Sequence, residues 1–68
     1  MALLFENLTG KVDIKVYDMT GSLIDAVQAY NDRTSNTIQY DMAGHSDGVY
    51  LFVATGREGV VTKKVVIQ

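Results

Sequence analysis

The sequence predicts a small all-β domain, a sandwich or barrel of short antiparallel strands. Three observations carry this. Apolar and polar residues alternate with a period of two along Val12–Val16 and Thr37–Met42. Val49–Thr55 is strongly β-prone, and β-branched residues dominate Val60–Ile67. Gly-bearing turns separate such stretches at spacings of about 8–12 residues. A chain of 68 residues holds one domain and no more, so 1–68 is read as a single unit.

The elements follow in order. Leu3, Leu4 and Phe5 open an apolar run toward Asn7-Leu8-Thr9-Gly10, giving a first strand, Leu3–Leu8. Val12, Ile14 and Val16 alternate with Asp13 and Lys15, the pattern of a half-buried strand. Asp18-Met19-Thr20-Gly21 is a turn: Asp accepts backbone N–H groups at its start, and Gly supplies positive φ at its end. Leu23–Tyr30 tolerates a helix by propensity, but it is short and flanked by strand signals, so it is read as a strand. Asn31–Asn36 is a polar loop. Thr37–Met42 puts Ile38, Tyr40 and Met42 on one face. Ala43–Gly48 is a second loop. Val49–Thr55, the hairpin turn Gly56–Gly59 and Val60–Ile67 close the chain.

YDMTG at Tyr17–Gly21 and YDMAG at Tyr40–Gly44 are nearly the same five letters. The side-chain phase separates them. Val12, Ile14 and Val16 set the apolar phase of the first copy, so Tyr17 points to the polar face. In the second copy Tyr40 is itself in the apolar phase. A one-residue change of phase exchanges the faces of a strand. The two copies are therefore independent strand exits that share turn chemistry, not a structural repeat.

Composition narrows the function classes. A net charge of −2 gives no footprint for nucleic acid. The chain has no Cys and one His, so neither disulfide nor zinc braces a domain of marginal size. No apolar run approaches the ~20 residues of a membrane-spanning helix. Charge is uneven: residues 1–56 carry seven acids against Lys11, Lys15 and Arg33, while residues 57–68 carry Arg57, Lys63 and Lys64 against Glu58. The basic end is too weak to hold a membrane surface unaided, which takes a cluster of about 4–8 cations.

The strand running into Asp18–Gly21, the segment Tyr40–Phe52 (YDMAGHSDGVYLF) and the ending Lys63-Lys64-Val65-Val66-Ile67-Gln68 form an ordered set. That set resembles the type A C-terminal sorting domain of the bacterial type IX secretion system. Members typically show a YD-x-x-G turn, a D-x-x-G segment leading into G-V-Y, and a K-K-V-V-I-like finish. The likeness covers Val12–Gln68. It implies an immunoglobulin-like antiparallel β-sandwich of about six to seven strands. It also implies an export address that carries a cargo from the periplasm across the outer membrane to the cell surface or the medium. The implied partners are the translocation and sortase machinery. Members usually open with a Pro-Asn-Pro-like segment, and this chain has no Pro. The first strand is therefore expected to be less well held. The alternative reading is an immunoglobulin-like adhesion or spacer domain whose tail merely closes the sheet.

Lys63 and Lys64 are adjacent on a strand, so they point to opposite faces. By residue type they are edge charges that block aggregation. By resemblance they form a recognition tag with Val65, Val66 and Ile67. Gly48 and Tyr50 open a strand; Gly48 suits positive φ or close backbone approach, and Tyr50 buries its ring while keeping a partner for its hydroxyl. Their roles are expected to be chiefly structural, although the likeness places them in the recognition set. Asp18, Asp41 and Asp47 fit local turn bonding better than a calcium cage or a catalytic pair, with Gly21 and Gly44 completing the turns at Asp18 and Asp41. His45 is expected to be an exposed loop residue, since a neighbouring Ser46 does not supply triad geometry. Asn7-Leu8-Thr9 fits a glycosylation acceptor but carries little weight in a bacterial setting. No enzyme activity, metal or cofactor is expected. Val60–Ile67 is apolar on both phases, so self-association through an exposed strand edge is expected.

Overall fold

The computed structural model describes residues 2–4, 8–31, 37–40 and 44–68, with side chains at 8–31, 40 and 44–68. Those residues form an all-β structure. Six strands are present: β1 (Ala2–Leu4), β2 (Gly10–Tyr17), β3 (Leu23–Asn31), β4 (Thr37–Gln39), β5 (Gly48–Gly56) and β6 (Gly59–Ile67). Four of them make an antiparallel sheet in the order β3-β2-β5-β6, and β1 and β4 pair separately.

The alternation in β2 gives the sheet two unlike faces. Val12, Ile14 and Val16 are fully buried, while Lys11, Asp13 and Lys15 are exposed between them. Register carries the buried phase across the sheet. One row runs Asp25–Val16–Phe52–Lys63, and the next runs Val27–Ile14–Ala54–Val61. Leu8 and Tyr40, from segments outside the four strands, complete the core over this inner face. The β1–β4 ladder comes near the sheet through contact of β4 with β3.

Leu23–Asn31 is a strand from end to end, so its position between strand signals outweighed its helix-tolerant letters. A bulge opposite Val16/Tyr17 leads into the turn that follows β2. Three boundaries differ from the sequence reading. Of the expected first strand, Leu3–Leu8, the described part is Ala2–Leu4; residues 5–7 lie outside the described residues, and Leu8 is buried and not in a strand. The strand expected over Thr37–Met42 is Thr37–Gln39; Tyr40 points inward as expected, and Met42 lies outside the described residues. Asn31 is not a loop residue: it ends β3 opposite Gly10, is buried, and donates its side-chain amide to the Leu8 carbonyl. A polar letter at the end of an apolar strand reads as a loop unless its hydrogen-bond partner is known.

Candidate functional site

The candidate surface lies where β5 and β6 meet, joined by the two-residue turn Arg57-Glu58. Register fixes the placement of every tail residue. Val61, Lys63, Val65 and Ile67 fall on the inner face, opposite Ala54, Phe52, Tyr50 and Gly48. Val60, Thr62, Lys64 and Val66 fall on the outer face, opposite Thr55, Val53, Leu51 and Val49. Lys64 is exposed. Lys63 is half-buried beside Phe52, as a long aliphatic stem on an apolar face allows. The two lysines thus divide between the faces as strand geometry requires.

The turn at the end of β2 is built by one carboxylate. The Asp18 Oδ1 accepts from the Thr20 N–H at 2.9 Å, the Thr20 hydroxyl at 2.6 Å and the Ser22 N–H at 3.0 Å. The Gly21 N–H donates to the Asp18 carbonyl at 3.1 Å with φ at +87°. Gly44 ends the second YDMxG with φ at +88°. The shared glycine of the two copies therefore adopts positive φ in both. The tyrosines do not: Tyr17 is half-buried, whereas Tyr40 is buried. Asp41 lies outside the described residues. Asp47 makes no turn bond of the Asp18 kind among the described residues, so the local explanation given for all three aspartates holds for Asp18.

Tyr40, His45, Tyr50 and Phe52 form an aromatic group that ties the 44–48 segment to the sheet. Tyr40 meets Phe52 edge-on at 5.1 Å and stacks on His45 at 6.0 Å. Its hydroxyl donates to Asp25 Oδ2 at 2.6 Å and lies 3.3 Å from His45 Nε2. The Tyr50 hydroxyl donates to the Ser46 carbonyl at 2.6 Å. Tyr50 therefore buries its ring and partners its hydroxyl, as expected. His45 corrects its expectation: it is half-buried between two tyrosines, not an exposed loop residue. Nothing in its own stretch of sequence signals this, because the packing comes from Tyr40 and Tyr50.

At the other end of the hairpin, the Thr9 hydroxyl donates to Glu58 Oε2 at 2.6 Å, and its N–H reaches Oε1 at 3.4 Å. Three carboxyls sit below their ordinary range, each chiefly through a hydroxyl donor: Asp18 through Thr20, Asp25 through Tyr40 and Glu58 through Thr9.

The family model of the secretion system C-terminal sorting domain matches residues 3–68. The chain belongs to that family. The match covers both YDMxG stretches, the second of which is the D-x-x-G that precedes β5, and the terminal strand. No curated protein and no solved structure matches the chain. As a member of the C-terminal sorting domain family, it is a sorting signal for type IX secretion, and such a signal acts by engaging the secretion machinery. The likeness read from motif order in the sequence is thus the family to which the chain belongs.

Proposed function

We propose that this chain is a folded docking address that brings a cargo from the periplasm across the outer membrane to the cell surface or the medium. The translocation and sortase components are its partners, and it performs no catalysis itself. In this reading the β1–β4 ladder is the second layer of an immunoglobulin-like sandwich, lying over the inner face of the four-stranded sheet. The observation that carries the reading is the position of the family's terminal motif. It occupies β6, a strand that pairs with β5 alone among the described residues, and it leaves Lys64 in solvent. An unpaired edge bearing a charged side chain suits recognition by another chain. It equally permits self-association.

The test fuses the chain behind a periplasmic reporter in a host that has the secretion system. Removing Lys63–Gln68 should leave the reporter in the periplasm. That deletion also removes most of β6 and unfolds the sheet edge, so a milder change is decisive. Lys63→Gln with Lys64→Gln keeps most of each stem and should lower export. A folded double variant that reaches the surface at the wild-type level would remove the lysines from the signal.

A further inference from the structure

We propose that the outer face of the four-stranded sheet is the docking surface, and that its occupant is an acidic patch on a protein of the export machinery. This rests on the sorting reading above and names the surface through which it works. The terminal motif cannot be read as a linear word, because Lys63, Val65 and Ile67 face the core side while Lys64 and Val66 face outward. A partner lying on the outer face meets Lys64 and Val66 together with residues of other strands. One cross-sheet row presents Tyr17, Leu51 and Lys64, and the next presents Lys15, Val53 and Thr62.

The face carries an apolar strip along β5, flanked by the lysines of β2 on one side and Lys64 of β6 on the other. Val49, Leu51 and Val53 are half-buried along β5, and Val60 and Val66 keep 63% and 56% of their surface exposed on β6. The outward charges of the four strands are Lys11, Lys15 and Lys64 against Asp13 alone, a balance of +2 in a chain whose total is −2. The rest of the molecule therefore carries −4, so the positive sign belongs to this face. Strands of 8–9 residues at about 3.3 Å each, side by side at about 4.8 Å, make a face roughly 30 by 19 Å. That is about 570 Å², close to the ~600 Å² per partner at the lower end of the standard interface range.

The sign of the charge selects the occupant. A second copy packed face to face would set like charges against each other. A lipid surface needs a cluster of about 4–8 cations, and three lysines with one aspartate fall short. An acidic protein surface satisfies the lysines on either side of β5 and covers Val49, Leu51 and Val53 between them.

The experiment uses the chain fused behind a periplasmic reporter in a host that has the system. Lys15→Glu with Lys64→Glu should lower export by about tenfold or more, with the urea midpoint unchanged. Lys15→Arg with Lys64→Arg should export as wild type. Arg57→Glu, a reversal in the hairpin turn off this face, should leave export intact. As an independent readout, a photo-crosslinking benzoylphenylalanine at Thr62 should capture a secretion-system protein through a peptide rich in Asp and Glu. Wild-type export by the folded double-Glu variant would overturn the proposal. So would Thr62 adducts only to a second copy or to lipopolysaccharide. A wild-type fusion retained in the periplasm would instead sink the sorting reading, and this proposal with it.

Discussion

Leu8 and Gly56 offer a sharp test of the core, because one glycine exists to make room for one leucine. Leu8 is buried and not itself in a strand, and a Cβ placed on Gly56 would stand 3.3 Å from Leu8 Cδ2 and 3.7 Å from Leu8 Cβ. Leu8→Ala should cost about 3 kcal/mol through lost burial and the cavity left behind. For a domain of this size, with a total stability of roughly 3–10 kcal/mol, that is a large loss. It corresponds to a fall in Tm of roughly 12–24 °C. Gly56→Ala alone should cost about 1 kcal/mol, since the overpacking exceeds the gain from a stiffer unfolded chain. In the Leu8→Ala background the 3.3 Å contact disappears and only ordinary contacts remain. There Gly56→Ala should stabilise by about 0.5 kcal/mol. The pair should therefore show a favourable coupling of about 1.5 kcal/mol in a double-mutant cycle. Urea melts of the four proteins measure it. Effects that add to within about 0.5 kcal/mol would mean that Gly56 is not a space-maker for Leu8, and the account of how this segment is held would fail.

Gly21→Val should destabilise by about 1–3 kcal/mol, because φ of +87° is strained for a branched residue; an unchanged denaturation midpoint would contradict it. Acid should weaken the fold through Asp18, Asp25 and Glu58. Each carboxyl is held below its unfolded value, so its stabilisation is present above the unfolded pKa near 4 and is lost as pH falls through the folded value. Tyr40→Phe removes the Asp25 share, so its acid-unfolding curve should be shallower, and a curve identical to wild type would exclude that bond as a source. Light scattering over a concentration series should show self-association through the β6 edge. A strict monomer at high micromolar concentration, with Val60–Ile67 amides as protected as those of Val49–Thr55, would mean that the edge is satisfied within one chain.

The elements that could be read from sequence are those whose signal is local. Alternation placed the buried phase of β2, and strand parity divided Lys63 from Lys64. Asp18 and Gly21 announced their turn by residue type. What could not be read depends on partners far along the chain. Leu8 is core because Gly56 and Asn31 receive it, and it stands outside any periodic run. Asn31 is polar and looked like loop, yet its amide serves a carbonyl that an apolar side chain would leave unpaired. His45 belongs with Tyr40 and Tyr50 through contacts that no spacing rule predicts. The outer face is also an assembly property: its lysines come from β2 and β6, and only the β2–β5–β6 register brings them together.

The strand order has a consequence in time. β2–β3 and β5–β6 are neighbours in sequence and can close as local hairpins. The central pairing of β2 with β5 joins residues 34 apart at Tyr17↔Leu51 and 42 apart at Asp13↔Thr55. Loop closure of that length must precede any reward from the contacts, so this joint should form after the two hairpins. Until it forms, the molecule is two hairpins with their apolar faces open. A polypeptide threaded into a compartment from its N-terminal end delivers β2 and β3 first, and they wait for β5. A partner that reads the outer face, as proposed above, therefore finds it complete only once β2, β5 and β6 have joined.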